Sequence, residues 1–185
     1  MNIKRNLWLW VVIGVIVLIG IIILSNNPKQ QENLTNQNQG NAAWVNVELK
    51  DVRTGEIFKI SDFEGNKVLI ESFAVWCPTC TKQQKEIKKL HDEVGDSIVS
   101  ISLDTDPNED ESKILAHVNE NGFEWRYAVS PIEMTQSLLS EFGNSIINAP
   151  SAPIVLICED GNYRKLRGSG SKSVEELKEE LKRGC

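Results

Sequence analysis

Histidine and methionine are scarce in this 185-residue chain, with two of each, and its four cysteines are too few for a disulfide-dense scaffold. Net positive charge is missing as well, since 20 Lys+Arg stand against 26 Asp+Glu for a net charge of −6. General nucleic-acid binding requires a basic stripe that displaces counterions from phosphates, so that class is excluded. With so few His, Cys and Met, no metal centre is the expected reading, and no cofactor is expected. Internal repeats are absent. Charged residues make up 25% and aromatic residues 6%, which suits a globular protein and not a disordered one.

Long apolar runs are absent too, with one exception. Residues 7–24 carry no charge and hold only Gly14 and Gly20 among apolar side chains. Eighteen residues at about 1.5 Å each reach roughly 27 Å, close to the thickness of a bilayer core. Lys4 and Arg5 precede the run and only Lys29 follows soon after, which keeps the N-terminus cytoplasmic. Trp8 and Trp10 suit the inner interface. A cleaved signal peptide is the alternative, but its apolar region is shorter, and Ile22-Ile23-Leu24-Ser25 is a poor cleavage site. The expected organisation is a single-pass anchor over residues 1–25, an Asn/Gln-rich linker over 26–43 and a domain over 44–185 outside the cytoplasm. That domain carries 17 Lys+Arg and 25 Asp+Glu, a net −8.

Within the domain, strands and helices alternate. Residues 45–49 and 56–60 predict a hairpin about Arg53-Thr54-Gly55. Residues 67–73 form a near-continuous apolar run, the mark of a strand buried on both faces, interrupted only by Glu71. Helical periodicity covers 79–94, with Ile87, Leu90, His91 and Val94 on one face. A strand is expected at 97–103, then a helix at 111–121 capped by Gly122, a short strand at 125–129 and a helix at 134–142. Residues 154–158 and 163–167 flank an Asp160-Gly161 turn. A last helix at 173–182 starts at Ser173. The fold class is α/β, a central mixed sheet flanked by helices, with both hairpins contributing its antiparallel pairs.

Trp76-Cys77-Pro78-Thr79-Cys80 lies between the buried strand and the helix that follows. Metal sites also use CxxC, but a zinc ribbon needs two more ligands at similar spacing, and Cys158 and Cys185 are solitary. One CxxC at a strand-to-helix junction is instead a thiol–disulfide centre. Cys77 falls at the N-cap and Pro78 at the first helical position, where a missing N–H costs nothing. A helix N-terminus stabilises a thiolate, the form that attacks a disulfide. Cys80, one turn on, resolves the mixed disulfide. A static disulfide here is disfavoured, because so short a loop gains little from cross-linking.

These residues make the chain resemble the thioredoxin superfamily, in particular membrane-tethered TlpA/ResA-like thiol–disulfide oxidoreductases. The resemblance rests on the CxxC segment, with support from Phe63-Glu64-Gly65-Asn66-Lys67-Val68-Leu69-Ile70, Ser102-Leu103-Asp104-Thr105-Asp106 and Ala152-Pro153-Ile154-Val155-Leu156-Ile157. It implies a cis-proline loop facing the CxxC. Of Pro150 and Pro153, the spacing of eight to Gly161 selects Pro153, with Ala152 offering its backbone to a substrate segment. It also places Glu71, six residues before Cys77, as a buried acid beneath the cysteines, able to take a proton from Cys80. Relatives carry an acid and a proline where this chain has Gln83 and Lys85, which shifts the proton-acceptor role onto Glu71. Trp76 covers the site and offers an apolar patch to partners.

The resemblance implies reduction of disulfide-containing protein substrates, supplied with electrons by a membrane thiol donor. A disulfide-donating oxidase of the same fold remains open, since 30 mV is only about 1.4 kcal/mol. So does a copper-binding chaperone, although no His or Met lies near the CxxC, and so does a non-enzymatic docking tether. Of the other candidates, Cys158 reads as an inert core thiol, Cys185 as an exposed terminal one, and His91 and His117 as helix-face residues. Glu109-Asp110-Glu111 reads as a solvated helix start.

Overall fold

The computed structural model describes residues 42–185. The expected anchor at 7–24 and nearly all of the linker lie outside them. Among the described residues no helix is long and apolar enough to cross a membrane.

The strands are β1 (Leu49–Lys50), β2 (Ile57–Phe58), β3 (Lys67–Phe73), β4 (Ile98–Asp104), β5 (Arg126–Val129), β6 (Ile154–Ile157) and β7 (Tyr163–Lys165). The helices are α1 (Pro78–Val94), α2 (Glu111–Asn121), α3 (Ile132–Phe142) and α4 (Val174–Arg183). Five strands form one sheet in the order β5-β4-β3-β6-β7. The β3–β4 and β4–β5 pairs are parallel, and β6 pairs antiparallel with both β3 and β7.

Strand alternation divides the sheet between two cores. Val68, Ile70, Ile101, Leu103 and Val155 face the side covered by Met134 and Leu138 of α3, with Trp44 and Phe58. Leu69, Phe73, Ile154 and Leu156 face the other side, covered by Ile87 and Leu90 of α1, Ile114 and Val118 of α2, and Leu177 of α4. With both faces covered, the central strands must be apolar throughout, and each fully buried Leu or Ile contributes roughly 2 kcal/mol.

The N-terminal hairpin departs from expectation. Its strands shrink to two residues each and form a separate sheet, joined to the edge of β5 by one backbone bond, Val52 N–H to Tyr127 O at 2.8 Å. Val45 and Asn46, expected to begin a strand, instead lie in a 3-10 turn over Ala43–Asn46. Burial decides this, because Trp44 packs beneath the sheet against Phe142 and Tyr163 and pulls the segment out of line with any strand. Only the β6–β7 hairpin therefore contributes antiparallel pairing next to the parallel strands. Its turn rests on Gly161, whose φ of +80° is a conformation that favours glycine.

Candidate active site

The chain leaves β3 at Phe73, turns through Cys77 N–H to Ala74 O at 3.1 Å, and enters α1. Cys77 is the N-cap residue and Pro78 follows at the first helical position. The Cys80 N–H donates to Cys77 Sγ at 3.2 Å, so one otherwise orphaned helix amide is aimed at the sulfur. The Cys80 thiol donates to the Ala149 carbonyl at 3.1 Å. Both thiols are free and buried. Burial pushes the Cys80 thiol well up, with the Cys77 contact and the nearby Glu71 adding to the rise.

Two acids from the β4–α2 loop hold the approach to Cys77. Glu109 Oε2 accepts the Val75 N–H at 2.7 Å, and Asp106 Oδ2 accepts the Trp76 indole N–H at 2.5 Å. The solvated-start reading of Glu109-Asp110-Glu111 thus fails at Glu109, while Asp110 caps α2 through the Lys113 N–H at 2.9 Å. Charge-assisted bonds to backbone N–H groups are strong enough to fix such a loop. Trp76 remains 58% exposed although its N–H is tied. Burial raises Asp104, next to these acids, to about 7.

Glu71 is 1% exposed, on the α1 side of β3. Its Oε2 accepts from Gln84 Nε2 at 3.0 Å and from the Ser102 hydroxyl at 2.9 Å, while Oε1 has no partner. Burial raises its pKa to about 8, and those two hydrogen bonds hold it from going higher. Gln84 goes unnamed in the sequence reading, Ser102 stands there only within a supporting segment, and His117, expected as a helix-face residue, instead sets its Nε2 2.7 Å from Gln84 Oε1. Two signals were present: Gln84 is one turn beyond Cys80 on the same helix face, and Ser102 is a polar residue inside a buried strand.

Gln83 takes no part in this cluster. Its side chain clamps the backbone of Lys172, donating to Lys172 O at 3.3 Å and accepting Lys172 N–H at 2.6 Å. It ties α1 to the segment before α4.

The proline loop differs from expectation. No peptide bond among the described residues is cis, so the Ala152–Pro153 bond is trans. Pro153 O accepts the Ser72 N–H at 3.1 Å and so extends the β3–β6 pairing. Ala152 adopts a left-handed conformation at φ +43°, is fully buried, and spends its N–H on Ala149 O at 2.8 Å. The 3-10 turn Ala149–Ser151 consumes that amide, which is therefore not free for a substrate strand.

Cys158 and Cys185 are neither inert nor solitary. They form a disulfide, with Cα atoms 5.9 Å apart and a sequence separation of 27. Arg164 assists by donating to the carbonyls of Gly184 at 2.7 Å and Glu180 at 3.2 Å. The end of α4 is thereby fastened to the β6–β7 hairpin.

The Redoxin family profile matches residues 38–181. Thiol-disulfide oxidoreductase ResA of Halalkalibacterium halodurans is 27% identical over 144 residues, covering 75% of this chain and 74% of that one. A thiol:disulfide interchange protein from Chlorobium tepidum superposes with a TM-score of 0.61 at 16% identity, covering 75% of this chain and 92% of its own. A secreted Mycobacterium tuberculosis disulfide oxidoreductase, homologous to DsbE of E. coli, gives 0.59 at 12% identity over 76% and 98%. The relatives are thiol–disulfide oxidoreductases, and the solved structures share the thioredoxin-like α/β fold.

Proposed function

As the chain belongs to the Redoxin family, whose thioredoxin-like relatives are thiol–disulfide oxidoreductases, we propose that it reduces protein disulfides outside the cytoplasm, tethered to the membrane by residues 7–24. The observation that carries this reading is the Cys80 N–H directed at Cys77 Sγ at 3.2 Å, which equips Cys77 as the attacking thiolate.

Cys77 thiolate attacks one sulfur of a substrate disulfide, forming a mixed disulfide and releasing the other substrate sulfur as a thiolate. Cys80 then gives its proton to Glu71 and attacks Cys77 Sγ. The second substrate thiolate leaves and a Cys77–Cys80 disulfide remains. Glu71, raised to about 8, takes that proton in its ionised form, a fraction that grows as the pH climbs toward 8, and there it is a stronger base than an ordinary carboxylate. Its unpartnered Oε1 is the oxygen with room for it. Cys77 is only 1% exposed, so a substrate reaches it after local opening of the surrounding chain. A membrane thiol donor then restores the dithiol, because no cytoplasmic thiol pool serves that compartment. The Cys158–Cys185 disulfide supports an oxidising location, since such bonds rarely persist in the cytosol.

Equilibration of the Cys77–Cys80 pair against a thiol buffer at pH 7 tests the direction. A potential near or below about −250 mV is expected; one at about −120 to −180 mV makes the protein an oxidant or isomerase instead.

A further inference from the structure

A primary amide has two unlike ends, and what each end meets is set by its neighbours. Gln84 bridges Glu71 and His117. Its Nε2 lies 3.0 Å from Glu71 Oε2, and its Oε1 lies 2.7 Å from His117 Nε2. The second donor to Glu71, the Ser102 hydroxyl, is itself oriented from outside, because it accepts the Trp125 indole N–H at 3.0 Å and so turns its own hydrogen to the carboxylate. We propose that His117 does for Gln84 what Trp125 does for Ser102: as an Nε2–H donor to Gln84 Oε1 it is a positioning residue that keeps the NH2 end, not the carbonyl end, of Gln84 against Glu71.

The surroundings of His117 support that role. Its ring stacks on Phe73 at 6.0 Å and packs against Phe123 at 5.8 Å, which fixes its plane. Its own carbonyl accepts from Asn121 Nδ2 at 2.9 Å. Burial lowers its pKa, opposed by Glu120 and Glu109, so the ring is neutral at physiological pH and carries one N–H. Only the Nε2–H tautomer satisfies Gln84 Oε1. An Nδ1–H ring sets a lone pair against that carbonyl and drives the amide to flip, which places a carbonyl against a carboxylate.

Lys113, Glu120 and Glu109 are the charged groups facing His117 from α2 and the loop before it. Gln84 faces it from α1, and Phe73 from β3. Facing Glu71 are Gln84 and Cys80 from α1, Ser102 from β4 and Tyr127 from β5.

The proposal rests on Glu71 as proton acceptor only for its kinetic consequence, and its test separates the two. In the full chain in detergent, the carboxyl carbon of Glu71 is titrated by 13C NMR alongside the rate of disulfide exchange. His117→Phe keeps the aromatic packing but removes the donor, and His117→Gln restores an N–H. The Glu71 midpoint is expected to rise by about 0.5 to 1 in His117→Phe, as one donor to the carboxylate is lost, and to return in His117→Gln. The low-pH limb of the rate profile moves with it. A carboxyl midpoint that stays put in His117→Phe overturns the proposal. A midpoint that moves while the rate profile does not upholds the positioning and removes Glu71 from proton transfer. Should His117→Phe not fold, 15N spectra of the unaltered protein decide: the Nε2–H tautomer is expected, and Nδ1–H overturns the proposal.

Discussion

Glu71 and Ser102 stand opposite each other where β3 pairs in parallel with β4, and the serine hydroxyl donates to the carboxylate at 2.9 Å. An acid inside a sheet covered on both sides costs several kcal/mol in its charged form unless it is hydrogen-bonded. Two donors on one oxygen lower that cost without abolishing it, which leaves a carboxyl that titrates near neutral pH. Such a poise is what the proposed role of Glu71, as proton acceptor for a buried thiol, requires.

Glu71→Gln is therefore expected to slow the resolving attack of Cys80 by about 100-fold near pH 7, a typical contribution of a positioned base. The first attack, by Cys77, changes little. Rapid-mixing measurement of both thiol releases from a substrate disulfide separates the steps, and equal slowing of both speaks against the assignment.

The same acids set the pH dependence of stability. The folded protein keeps a proton on Glu71 up to about 8 and on Asp104 up to about 7, whereas such carboxyls in an open chain titrate at 4.5 and 3.8. Between those limits the folded state binds more protons, so stability falls as pH rises. Urea melts of the reduced protein are expected to show a loss of roughly 2–5 kcal/mol between pH 5 and pH 8, most of it from Glu71. Glu71→Gln flattens the curve. A stability that rises over this range contradicts the burial argument.

Cross-linking Cys158 to Cys185 closes a 27-residue span, worth about 3.5 kcal/mol in chain entropy. Replacing both cysteines by serine is expected to lower stability by roughly 2–4 kcal/mol while the Cys77–Cys80 potential stays unchanged. A shifted potential would tie the two redox pairs together.

The central fold was legible because its signals are local and periodic. The run at 67–73 predicts β3, Gly122 ends α2, and Ser173 caps α4 as the capping box requires. The cysteine pair at the strand-to-helix junction was legible for the same reason. Contacts that join distant segments were not. Gln84 and His117 meet across 33 residues, Cys158 and Cys185 across 27, and Glu109 reaches back to Val75 across 34. No spacing rule in a single sequence encodes such pairs. The N-terminal hairpin misled because burial of Trp44 outweighs the strand propensity of Val45 and Val47.

Trp76 offers the sharpest test of how substrates are held. The residue is 58% exposed, yet its indole N–H is fixed by Asp106 Oδ2, so the side chain presents an apolar face that is already ordered. Exposed aromatic anchors next to a reactive centre contribute most when little conformational freedom is lost on binding. Trp76→Ala is expected to raise KM for a disulfide-bonded protein about 10-fold, corresponding to the loss of about 1.4 kcal/mol of contact, with kcat nearly unchanged. Asp106→Ala frees the ring without removing it and raises KM less, about 2- to 3-fold, because only the ordering of one side chain is lost. Asp106→Asn retains an acceptor and stays near the parent value. A fall in kcat at constant KM in Trp76→Ala would instead assign the ring to the exchange step itself.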